Sequence, residues 1–256
     1  MQYDSHNRPI DTRPIFSYSH NGGTMPYFAL AQMPMPEDNN DDAFYNDEDG
    51  REIGGRAEAS ARNYIRTLKE IGVYEKMRGH SILDVGCGCG YLLRLLDRAF
   101  GTNPPMPWGV EPNYTARANK VYGFIRPSID DANMADYVMA WNVIEHVKNP
   151  VEFIQSLKSK SHKYIIIATP NADSPFAKSG KWRYKIQQHR YLFGKGNLCR
   201  LFVDNGIKVV KHITYGGYPA PRKPWQSVAN WFAKKLGLGD IQVIIGEIGG
   251  ENSAMV

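Results

Sequence analysis

No stretch of the chain narrows its choice of fold as sharply as Ser81-Ile82-Leu83-Asp84-Val85-Gly86-Cys87-Gly88-Cys89-Gly90-Tyr91-Leu92-Leu93. A β-favouring apolar run (Ile82, Leu83, Val85) stops at three glycines spaced one apart. A helical pattern resumes at Tyr91 and carries Leu92, Leu93, Leu95 and Leu96 on one face. The pattern predicts strand, tight turn, helix. Glycine permits left-handed backbone and leaves no Cβ between the chain and a ligand. The turn opens a helix, whose first N–H groups favour a carboxylate or phosphate. Asp84, at the strand end, is placed to accept a hydrogen bond from a ligand ammonium.

A second short strand, Trp108-Gly109-Val110-Glu111-Pro112-Asn113, also ends in an acid. Glu111 follows the glycine turn by about twenty residues, the separation at which an acid meets ribose hydroxyls in nucleotide-binding α/β folds. A hydride-transferring dehydrogenase is disfavoured, because its turn reads G-x-G-x-x-G and lies near the chain start.

Three stretches, Asp84–Gly90, Gly109–Pro112 and Asp136-Tyr137-Val138-Met139-Ala140-Trp141-Asn142-Val143-Ile144-Glu145-His146-Val147, together resemble successive motifs of class I S-adenosylmethionine-dependent methyltransferases. The last is similar to the signature of the branch that holds ubiquinone-biosynthesis and many sugar or natural-product O-methyltransferases. The resemblance spans roughly residues 55 to 250. It implies S-adenosyl-L-methionine as cofactor. Asp84, Gly86, Cys87, Gly88 and Gly90 would seat its methionine end, Glu111 and Pro112 its ribose, and Asp130 its adenine. Trp141, Asn142 and Val143 would face the sulfonium. An arginine near the first helix, Arg56 or Arg62, would reach the methionine carboxylate.

The expected fold is α/β: a Rossmann-like, doubly wound, mostly parallel seven-stranded sheet with helices on both faces and an irregular N-terminal arm. Residues 1–50 form the arm, with five prolines before residue 40 and an acidic run from Glu37 to Glu52. Its Phe16, Tyr18, Tyr27 and Phe28 are candidates for docking. Residues 51–256 form the methyltransferase domain. A helix runs from Arg51 to near Gly72, then strand Ser81–Val85, helix Tyr91–Phe100, strand Pro107–Glu111 and a helix from Asn113 to about Val121. A third strand starts at Gly123, a fourth covers Tyr137–Trp141, and a helix runs from Val147. Tyr164–Ala168 is an apolar strand covered on both faces. Residues 173–195 make a basic lid or insertion. Helix Leu198–Val203, strand Val209–Thr214, an amphipathic helix (Val228, Trp231, Phe232, Leu236) and strand Gln242–Ile245 complete the chain.

Charge adds a partner expectation. Between Gln155 and Lys235 stand sixteen Lys or Arg against Asp173 and Asp204, an asymmetry that fits an anionic partner, although the lysines could equally solvate helices around a buried sheet. No apolar run is long enough to cross a bilayer, and the N-terminus has no signal-peptide character. Three cysteines make no disulfide framework, and Cys87 and Cys89 suit a tight turn better than a metal. A cytoplasmic location is expected.

Ligands of open α/β sheets sit at the carboxyl ends of the strands. Methyl transfer from a sulfonium needs an acceptor atom about 3 Å from the methyl carbon and, for a hydroxyl, help in removing its proton. His146, on the first turn after strand four, is the candidate base. The alternative is that Glu145 and His146 only stabilise the helix start. His189 heads His189-Arg190-Tyr191-Leu192-Phe193, similar to a segment that closes over substrate in the family. Some relatives read Glu-x-x-Glu-His and bind a divalent cation; here Asn142 stands first, so no metal is expected. Asn103-Pro104-Pro105 imitates a DNA amino-methyltransferase motif, but precedes strand two and is a turn. Lys178, Lys181, Arg183 and Lys185, interleaved with Trp182 and Tyr184, suit phosphates and stacked bases or a lid over an anionic acceptor. The reading is O-methylation of a small-molecule or glycan hydroxyl. The alternatives are an RNA or protein methyltransferase and a non-catalytic cofactor-binding scaffold. Oligomeric state is left open.

Overall fold

A computed structural model of the chain describes residues 51–101, 106–178, 189–216 and 224–249, with four backbone strands between residues 2 and 27. The aromatic side chains of the arm, the acidic run before residue 51, the Asn103 turn and the basic residues at 181–185 lie outside the described residues. The four early strands, β1 (Gln2–Tyr3), β2 (Pro9–Ile10), β3 (Phe16–His20) and β4 (Gly23–Tyr27), form two antiparallel pairs.

From Arg51 helices and strands alternate as far as β7: α1 (Arg51–Glu70), β5 (Ile82–Val85), α2 (Tyr91–Phe100), β6 (Trp108–Val110), α3 (Tyr114–Ala118) and β7 (Ile125–Arg126), which is followed directly by β8 (Ala135–Trp141) and then α4 (Pro150–Ser159). Then follow β9 (Ser161–Pro170), α5 (Pro175–Lys178), α6 (Lys195–Asp204), β10 (Ile207–Tyr215), α7 (Pro224–Lys235) and β11 (Ile241–Ile248). One seven-stranded sheet takes the order β10-β11-β9-β8-β5-β6-β7. β5 pairs in parallel with β6 and β8, β6 with β7, and β10 runs antiparallel to β11. All four β5 residues are buried, as are Ile165–Ala168 of β9, the pattern of strands covered on both faces. The chain first leaves β5 toward β6 and later returns on its other side as β8. That reversal is a topological switch point, where open α/β sheets place their ligands at the carboxyl ends of the strands.

Two helix starts show what capping decides. Asn113 caps α3 as expected, its Oδ1 accepting the Ala116 N–H at 2.8 Å, but α3 ends at Ala118. The helix expected from Val147 begins at Pro150 instead. Asn149 Oδ1 accepts the N–H groups of Val151 (3.0 Å) and Glu152 (3.4 Å), and proline suits the first helical position because its missing N–H would go unbonded there.

Internal packing groups the chain into two compact units. The glycine-turn unit holds residues 38–141, 156–165 and 250–256. The histidine unit holds residues 1–37, 142–155 and 166–249.

Candidate functional site

In the glycine-turn unit, β5 ends in three glycines with left-handed backbone, φ 76° at Gly86, 55° at Gly88 and 83° at Gly90. A Cβ on Gly90 would stand 2.8 Å from Ile125 Cδ1 and 2.9 Å from Tyr122 Cβ, so packing and backbone angle both demand glycine. The sequence expectation left the turn's N–H groups to a ligand anion. Four of them serve the protein instead. Gly86 and Cys87 donate to the Val110 carbonyl (2.7 and 3.1 Å), Gly90 to that of Cys87 (3.0 Å), and Gly88 to Glu111 Oε2 (2.8 Å). Glu111 Oε1 accepts the Asn113 N–H at 2.9 Å. Glu111 is thereby buried as the strut between the turn and the end of β6. Arg117, unnoticed in the sequence, donates to the carbonyls of Glu111 and Pro112 and holds that corner.

Asp84 is buried at the β5 terminus, and its Oδ1 has no partner among the described residues. Burial pushes its carboxyl up to about 8, with the Glu111 carboxylate adding to the rise. A cationic donor would favour its charged form. The Cys87 side chain turns to the core, where it packs on the Leu93–Tyr122–Ile125 cluster. Burial first, then Asp84 and Glu111, hold its thiol well above the ordinary range. Only its backbone is left to meet a ligand. Trp141 is buried at the end of β8 and stacks on Tyr64 of α1, centroids 4.5 Å apart and planes 18° apart. Its indole N–H has no partner among the described residues. Tyr64 reads in the sequence as one more apolar position of a helix face, and only the stack shows its place. Asp130 is exposed, and its carbonyl accepts Lys160 Nζ at 3.1 Å. Arg62 pairs with Glu58 at 2.7 Å, and the Arg56 side chain lies outside the described residues.

In the histidine unit, Asn142 is the one non-glycine residue with positive φ (54°) among the described residues, and its N–H donates to the Ala168 carbonyl at 2.8 Å. Asparagine tolerates this angle better than most residues. The Val143 carbonyl accepts the His146 N–H at 2.9 Å and turns the chain. Glu145 is 0% exposed. Its Oε2 accepts the Thr169 hydroxyl at 2.9 Å, and its Oε1 has no partner among the described residues. Burial pushes this carboxyl up to about 8, against hydrogen bonds from its own backbone and Thr169 that lower it. The Glu145 carbonyl accepts the N–H groups of Arg190 (2.8 Å) and Tyr191 (3.1 Å), and the Tyr191 hydroxyl donates to Lys148 O at 2.7 Å. These bonds bring together two histidines that the sequence offered separately. The His146 and His189 rings meet edge to face, centroids 4.7 Å apart at 80°.

Gln242 of β11 is the other residue that sequence reading missed. Wholly buried, it donates to Phe193 O (2.6 Å) and Pro170 O (3.3 Å) and so fixes the far end of the His189 segment. One ligand atom each of Glu145, His146 and His189 lies within 4.8 Å of the others, a set of one carboxyl and two imidazoles that suits a transition metal better than magnesium. The same set, with the carboxyl neutral, suits proton transfer.

A family model described as "Methyltransferase domain" matches residues 55–212. The chain belongs to this methyltransferase family. No curated protein sequence matches the chain. Among solved structures, the methyltransferase is similar to the putative methyltransferase of Haloferax volcanii held with the Trm112 activator, at 15% identity and TM-score 0.59, over 84% of this chain and 98% of that one. It is also similar to a possible histamine N-methyltransferase of Thermotoga maritima, at 16% identity and TM-score 0.56, over 80% and 98%. These likenesses support the fold. The glycine-turn unit offers a fit to S-adenosylmethionine: a buried Asp84 oxygen without a partner among the described residues suits its ammonium. Among the described residues no helix is long and apolar enough to cross a membrane.

Proposed function

We propose that the methyltransferase methylates a hydroxyl of a small molecule or glycan, with the His146–His189 pair receiving the acceptor proton. Bound S-adenosylmethionine supplies an electrophilic methyl group for in-line displacement. Asp84 pairs with the cofactor ammonium. Gly86, Gly88 and the backbone of Cys87 would line its approach, with Gly90 shaping the turn, Glu111 and Pro112 would form the ribose side, and Trp141 would take the sulfonium side.

One observation carries the hydroxyl reading: two imidazoles in contact, edge to face, beside a carboxyl that burial raises to about 8. A carboxyl raised by burial favours the charged imidazolium less than an ionised one would, which suits an imidazole acting as base. The reading requires no metal. The three free cysteines support a reducing, cytoplasmic setting. A second reading, methylation of RNA or protein, rests on the sixteen basic residues between Gln155 and Lys235. It predicts acceptor affinity that falls steeply with salt.

The test is methyl transfer to a panel of hydroxyl acceptors, followed by release of S-adenosylhomocysteine. In His146→Gln and His189→Gln, kcat falls by about 100-fold or more for the residue that acts as base, while calorimetric affinity for S-adenosylhomocysteine holds. Unchanged kcat in both variants removes the base assignment.

A further inference from the structure

Helix α7 (Pro224–Lys235) presents an apolar face to solvent. Val228 is 53% exposed, Trp231 55%, Phe232 53% and Leu236, one residue past the helix, 68%. Trp231, Phe232 and Leu236 follow Val228 by three, four and eight residues, which puts all four on one side of a helix. Trp231 and Phe232 touch edge to face, and Lys235 lies over the Trp231 ring at 5.7 Å. Single exposed apolar groups are ordinary, but three large ones on one face of a helix with a fourth just past its end are not.

Charge selects the occupant. From Asp204 to Asp240 the sequence holds no other acid, while it holds Lys211, Arg222, Lys223, Lys234 and Lys235, besides Lys208, which pairs with Glu247 at 3.1 Å. Lys234 and Lys235 stand exposed in the last turn of α7 itself. Tryptophan, phenylalanine and leucine on one face, with lysines at its border and no acids, is the composition of a helix that lies in the headgroup layer of an anionic bilayer. Twelve residues are too few to span one. A protein groove would take the apolar groups equally well, but gives no reason for the acid-free stretch of thirty-five residues around them (205–239).

We infer that α7 seats the protein on anionic lipid surfaces, with Val228, Trp231, Phe232 and Leu236 entering the acyl boundary and Lys234 and Lys235 meeting the headgroups. The experiment is co-sedimentation of the full-length protein with vesicles of phosphatidylcholine alone and of phosphatidylcholine with about a third phosphatidylglycerol. Wild type partitions onto the mixed vesicles and not onto the neutral ones. Trp231→Glu/Phe232→Glu falls to the neutral-vesicle level. Lys234→Gln/Lys235→Gln binds about 30-fold more weakly, because two lysine charges no longer meet the headgroups. All three proteins keep the same thermal unfolding and the same affinity for S-adenosylhomocysteine, because the changed side chains are exposed. The inference is overturned if wild type stays in the supernatant, or if the Trp231/Phe232 variant binds as wild type does. It is also overturned if light scattering shows that variant dissociating a wild-type dimer, which would make the face an interface between copies.

Discussion

Replacing Asp84 by asparagine tests the central electrostatic feature of the glycine-turn unit. The folded carboxyl titrates near 8 against an ordinary value of 3.8, because burial and then Glu111 disfavour its charge. Between those two values the folded chain holds a proton that the unfolded chain has released. Stability contributed below the unfolded value is therefore lost as pH rises toward 8, at about 1.4 kcal/mol for each step of one in pH. From about pH 6 to about pH 7.5 that amounts to roughly 2 kcal/mol. Asparagine does not titrate. Asp84→Asn should therefore gain roughly 2 kcal/mol on wild type over this interval. Glu145 titrates in the same window, but is present in both proteins and cancels in the difference. Urea unfolding followed by tryptophan fluorescence at three pH values measures it. Under the proposed function a bound ammonium returns Asp84 to its charged form. Saturating S-adenosylhomocysteine then flattens the wild-type slope, and Asp84→Asn loses most of its affinity for it. A stability difference between the two proteins that stays constant with pH would refute the reasoning.

Gly90→Ala places a Cβ against Ile125 and Tyr122 at φ 83° and should cost about 2–4 kcal/mol, read as a lower unfolding temperature. Gln242→Ala leaves the buried carbonyls of Pro170 and Phe193 without their side-chain donor. It should cost about 2–3 kcal/mol in urea unfolding and lower kcat while leaving S-adenosylhomocysteine affinity intact. Prolonged chelation followed by dialysis should leave turnover unchanged; loss restored by manganese or zinc would move Glu145, His146 and His189 from proton transfer to metal binding.

The strand–turn–helix at Ile82–Phe100 was legible because its signals are local: a β-favouring run, glycines at fixed spacing and a helical period. α2 spans Tyr91–Phe100 as read. The helix read from Val147 moved to Pro150 because an Asn149 cap and a proline at the first position outweigh apolar periodicity. In the site, His146 and His189 were each visible as a residue type, but their meeting was not. It depends on the Glu145 carbonyl holding Arg190 and Tyr191 N–H groups from far along the chain. Gln242 did leave a trace, one amide in the apolar run Ile241–Ile245. A buried polar group in such a run must find partners, and these prove to be carbonyls of two other segments.

By itself the sequence determined the nucleotide-type turn and the family, since glycine spacing, apolar period and motif order are properties of neighbouring residues. Tertiary structure alone decided that Glu111 consumes the Gly88 N–H, that burial raises the Asp84 and Glu145 carboxyls, and that two distant imidazoles touch. Each of these follows from desolvation and from contacts across the fold, which no local pattern encodes.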